Sequence, residues 1–129
     1  MFRLNLPKSF IPAFIFAVLI LIGATISTEK LSQIQKSSRL LRILFSDHVF
    51  HFFAFGILTA LIYWGYIKAN SYTAPLLRAC GITLVFGLFI EIYQLLIPYR
   101  FFSLTDLGVD AAGIFFTSFF IRVGIFPRC

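Results

Sequence analysis

The chain has little of what coats a soluble domain. Charged residues fill 12% of its 129 positions and only five of them are acidic, against 60% hydrophobic residues. A soluble domain carries roughly a quarter of its residues as charges, and a chain this short has no interior large enough to hide so much apolar surface. A soluble globular fold is therefore excluded. No glycine-rich phosphate loop, serine-nucleophile motif or cysteine-rich ligand pattern occurs, so the usual templates of nucleotide, acyl-transfer and structural-zinc chemistry give no lead. Two cysteines, Cys80 and Cys129, are too few for a disulfide framework and read as free thiols. No internal repeat, low-complexity tract or second domain is visible, so residues 1–129 read as one domain.

Four long apolar runs use most of the chain, at about 10–26, 49–67, 76–97 and 107–126. Each is close to the roughly 20 residues that a helix needs to cross about 30 Å of hydrocarbon. The runs are rich in Phe and do not alternate, whereas strands of a membrane barrel would alternate apolar and polar residues. The expected fold is an all-α membrane protein, a four-transmembrane-helix bundle. The first run follows Arg3 and Lys8 like a signal peptide, but it is longer than a usual signal core and lacks a small-residue cleavage site; it reads as a retained helix. Between the first two runs, Leu31, Ile34, Leu41 and Leu44 recur at helical spacings among Lys30, Lys36, Arg39 and Arg42. That pattern fits a basic amphipathic segment lying on the membrane surface, with a solvated loop as the alternative. The net charge of +6, in so apolar a chain, points to anionic lipid rather than nucleic acid as partner. Basic residues divide six to five between the two sides. Because four of the five belong to the surface segment, both termini are expected in the cytoplasm.

The polar residues fall on one side of this topology. Alternation across the membrane puts the start of the second helix, the end of the third and the start of the fourth at one surface. Asp47, His48 and His51 share a face at the first of these ends, Glu91 and Gln94 at the second, and Asp106 and Asp110 at the third, with Arg100 in the connection. Ionisable groups inside a bilayer are costly and usually mark function. Structural explanations stand beside that one. Ser103-Leu104-Thr105-Asp106 fits a capping box in which Asp106 reaches back to the Ser103 amide. Glu91 and Gln94 suit interhelical hydrogen bonds, and His51 suits packing among phenylalanines. Asp110 lies one turn deeper than the cap, beside another carboxylate, and two carboxylates in a poorly solvated setting should share a proton or a cation. Asp106 and Asp110 are thus the candidate metal ligands. Gly108, Ala112 and Gly113 are candidates for close packing of the fourth helix.

The blocks Asp47-His48-Val49-Phe50-His51-Phe52-Phe53 and Glu91-Ile92-Tyr93-Gln94-Leu95-Leu96-Ile97-Pro98-Tyr99-Arg100, followed by Asp106, Asp110 and Gly113, resemble the VanZ-like family of small bacterial membrane proteins. The resemblance covers the second to fourth helices and implies that Asp47, His51, Glu91, Gln94, Arg100 and Asp106 are its polar positions. Two residues depart from the family pattern: His48 stands where Lys is usual and Asp110 where Asn is usual. What the resemblance implies is a bacterial inner-membrane protein with a role in the cell envelope or in resistance to glycopeptide antibiotics, with no established reaction or cofactor. Were the protein an enzyme, His51, Glu91 and Asp106 would supply base and acid. Arg100, with Gln94, Asp47 and His48, would hold a lipid-linked or other envelope substrate. A non-catalytic binding or scaffold protein is the competing class.

Overall fold

A computed structural model describes residues 7–25, 39–40, 47–69, 74–98 and 101–125. All its described elements are helical, and four are long and apolar enough to cross a membrane. A 3-10 turn at Lys8–Phe10 leads into α1 (Ile11–Thr25), followed by α2 (Asp47–Ala69), α3 (Pro75–Gln94) and α4 (Leu104–Arg122). The basic amphipathic segment expected over residues 27–46 lies outside the described residues except for Arg39 and Leu40, which are helical and exposed.

The helix ends follow local chemistry. Ala74 precedes α3 in the left-handed region (φ 53°), and Pro75 opens the helix, where a missing N–H costs nothing. The sequence placed the end of α3 near residue 97, but the α-helix stops at Gln94. Leu95, Leu96 and Ile97 donate to the carbonyls three residues back, Ile92, Tyr93 and Gln94. The chain tightens in this way because the residue before Pro98 is disfavoured in the α region. At the end of α4, Gly124 adopts φ 90° while its N–H donates to Ile121 and that of Ile125 donates to Phe120. This Schellman closure needs the left-handed conformation that glycine supplies.

α2 is the centre of the bundle. It packs most extensively on α4, then on α3, while α1 leans on its flank and is mostly exposed. Phe55 and Leu58 of α2 and Ile90 of α3 fill the core. The outward faces of α1, α3 and α4 remain apolar, with Phe14, Val85, Phe89 and Phe115 exposed, as a lipid-facing surface requires. At the end of α2 away from the polar residues, Lys68 places its Nζ 5.7 Å from the Trp64 ring centroid, while Tyr63 turns into the core. Trp64 remains outward.

Candidate functional site

Three hydroxyls on α2, α3 and α4 bond back within their own helix. Thr59 donates to the Phe55 carbonyl at 2.8 Å, Thr83 to Ala79 at 2.8 Å and Ser118 to Ile114 at 2.7 Å. Each bond runs back one turn, and Ser118 Oγ also meets Cys80 Sγ of α3 at 3.0 Å. The buried ionisable groups have no such local solution and must meet one another or a ligand.

They do meet. His51 stands one turn into α2, Glu91 one turn before the end of α3 and Asp110 nearly two turns into α4. At 1.5 Å of rise per residue this places them about 4 to 9 Å inside the helix ends. His51 is 5% exposed, and Glu91 and Asp110 are 0% exposed. The His51 Nδ1 lies 2.7 Å from Asp110 Oδ1, and the imidazole stacks on Phe55, with an interplanar angle of 8°. Glu91 Oε2 accepts the Ser103 N–H at 3.1 Å. The other carboxylate oxygens, Glu91 Oε1 and Asp110 Oδ2, are buried without a hydrogen-bond partner. One ligand atom from each of His51, Glu91 and Asp110 lies within 4.8 Å of the other two.

An outer layer lies nearer the helix ends. His48 is exposed, and its Nδ1 stands 3.0 Å from Asp106 Oδ1, close enough for an ion pair when the imidazole is protonated but not aligned as a hydrogen bond. Gln94 is buried at the end of α3. Asp47 is the first residue of α2, and Arg100 lies outside the described residues.

Two expectations change. The Ser103 hydroxyl does accept the Asp106 N–H at 3.2 Å, as a cap should. The reciprocal bond expected from the Asp106 carboxylate goes instead to Glu91, so the capping box closes between two helices rather than within one. That arrangement frees Asp106 to face His48 and ties the start of α4 to the end of α3. The second change concerns the metal ligands proposed for α4. Asp110 groups with His51 and Glu91, whereas Asp106, with 14% of its side chain exposed, pairs with His48.

Two roles escaped the sequence reading. Ser103, expected as the cap of α4, also joins α4 to α3 through its N–H on Glu91, a role that no spacing rule reveals. Gly87 lies one turn before Glu91, and a Cβ there would stand 3.1 Å from Asp110 Oδ2 and 3.2 Å from the Phe55 ring. Its position four residues from Glu91 on the same helix face was the available signal.

No curated protein and no solved structure matches the chain. A family model does. The VanZ/LLP1 model matches residues 5–125, so all four helices and every polar residue of the cluster fall within the match, and the chain belongs to the VanZ-like family.

Proposed function

We propose that the protein acts in the bacterial cell envelope, on an envelope component or on the response to glycopeptide-type antibiotics, through the polar end of its bundle. One observation carries this proposal: three ionisable side chains from three helices converge in an apolar interior and leave two carboxylate oxygens without partners. A cluster kept only to join helices would be expected to satisfy its own polar atoms. In this proposal the protein sits in the inner membrane with both termini cytoplasmic, and the cluster lies at the extracytoplasmic side. The ligand is a lipid-linked or other envelope molecule, with Arg100 as the cation for its phosphate or carboxylate. A catalytic version gives the proton-transfer role to His51 or Glu91.

A scaffold reading also has an observation in its favour, because the Glu91–Ser103 and His51–Asp110 bonds join helices. The two readings part on function at constant abundance. Glu91→Gln keeps an oxygen that can accept the Ser103 N–H, and Arg100→Lys keeps a positive charge but loses the planar fork. Both variants should abolish the glycopeptide-susceptibility phenotype conferred by the wild-type chain while membrane levels stay within about twofold of wild type, as expected for changes that leave stability almost untouched. Loss of phenotype only in proportion to loss of protein would favour the scaffold.

A further inference from the structure

We infer that His51, Glu91 and Asp110 form a binding site for one divalent transition-metal ion, a Zn2+-type site of one imidazole and two carboxylates. This inference rests on reading the cluster as a functional site, and it moves the metal position from Asp106 and Asp110 to a trio drawn from α2, α3 and α4.

The first ground is geometric. One donor atom from each of the three side chains falls within 4.8 Å of the others, and the donors come from three different helices, so they can surround a point rather than line one face. Second, the donor atoms are not all consumed by the protein. Asp110 Oδ1 faces His51 Nδ1 and Glu91 Oε2 accepts from Ser103, yet each carboxylate keeps a second oxygen, Oδ2 or Oε1, buried without a partner. Such oxygens are costly to hold inside hydrocarbon unless something occupies them. Third, Gly87 leaves open the space beside Asp110 Oδ2 that any larger residue would fill, since its Cβ would approach that oxygen to 3.1 Å.

Charge and donor type select the ion. With a neutral imidazole and two ionised carboxylates the trio carries two negative charges, which one divalent cation cancels, leaving no net charge in the low-dielectric interior. A nitrogen donor beside carboxylates suits Zn2+, Fe2+ or Mn2+, whereas Mg2+ and Ca2+ prefer oxygen throughout. Three protein ligands leave one tetrahedral position open for water or a substrate oxygen, the pattern of reactive rather than structural zinc sites. The outer bonds serve the same arrangement: Ser103 fixes the Glu91 carboxylate and Phe55 fixes the imidazole plane.

The test is Zn2+ binding to tag-free protein reconstituted in nanodiscs and stripped with chelator, read by metal analysis and calorimetry. One Zn2+ per chain is expected, with affinity reduced more than about tenfold in Glu91→Gln and in Asp110→Asn, since even the loss of an outer-shell partner costs that much. Ser118→Ala, at the other end of α4, is the control and should bind as wild type does. A Zn2+-dependent rise in the unfolding temperature of the wild type, reversed by chelator, is a second readout that needs no variant. Absence of both binding and the thermal rise in the wild type, or binding unchanged in both carboxylate variants, overturns the metal site. The site and its envelope role fail separately: a lost susceptibility phenotype without Zn2+ binding removes only the metal. Zn2+ binding with an intact phenotype in Glu91→Gln removes only the role.

Discussion

Gly113→Val is expected to prevent stable assembly of the bundle, the largest effect of any substitution considered. A Cβ at this position would fall on the Phe52 carbonyl oxygen and within 3.2 Å of the Phe52 Cα, so the obstacle is backbone that cannot rotate away. Gly56, facing it from α2, is also crowded, with a Cβ there 2.8 Å from Thr117 Oγ1 and 3.3 Å from the Gly113 carbonyl. Separating α2 from α4 to admit the side chain would open the contact that carries both His51 and Asp110. A cost above about 3 kcal/mol follows, at or beyond the upper end for overpacked sites. Gly108→Ala and Gly81→Ala form the contrast, because a Cβ at either meets nothing within 4 Å. Each should be neutral or stabilise by up to about 1 kcal/mol through helix propensity. Thermal unfolding of the three variants in one detergent measures the difference, and equal behaviour of Gly108→Ala and Gly113→Val would refute the close α2–α4 approach.

Asp110 separates loss of charge from loss of a hydrogen-bond acceptor. Asp110→Leu leaves His51 Nδ1, now 2.7 Å from Asp110 Oδ1, buried without an acceptor. Removing one partner of a buried pair costs about 3 to 5 kcal/mol in soluble proteins, and about 1 to 2 kcal/mol is the common range for hydrogen bonds between membrane helices. A loss of about 2 kcal/mol or more is expected. Asp110→Asn keeps a carbonyl oxygen for the His51 N–H and removes one buried negative charge, so it should change stability by less than about 1 kcal/mol. Chelator is needed in both measurements to keep bound metal from contributing. The expected order is Asp110→Asn close to wild type and Asp110→Leu well below it; comparable losses in the two would mean that the charge, not the hydrogen bond, is what α2 and α4 need.

These two residues also show what could be read from the sequence. Asp110 stood out because it lies one turn beyond Asp106 in a segment with almost no other charge. Its pairing with His51 did not. Helical spacing placed Asp106 beside Asp110 and suggested that the two share a proton or an ion, but the rotation of α4 turns Asp110 to His51 and Asp106 to His48. Spacing within one helix gives the face but not the neighbour. Gly113 was likewise one of three small residues on α4, and the sequence offered no reason to prefer it to Gly108. The choice rests on which side of α4 meets α2, a property of the packed bundle. The four spans were legible because bilayer crossing demands long apolar runs whatever the packing. Their ends were legible only where local chemistry sets them, as at Ser103 and Pro75, and less so at Gln94, where Pro98 acts from four residues away.

The trio has two unpartnered carboxylate oxygens, so it costs stability that a purely structural cluster would not. The most direct measurement is the unfolding temperature of Glu91→Gln against wild type in excess chelator. The amide retains an acceptor for the Ser103 N–H, removes a buried charge and adds a donor to a cluster short of them. The unfolding temperature should stay within about 2 °C of wild type or rise, a stability change below about 1 kcal/mol for a chain of this length, in the same variant that is expected to lose the proposed susceptibility phenotype. A fall of about 5 °C or more would contradict this, and would mean that the Glu91 carboxylate holds the bundle together rather than serving a site.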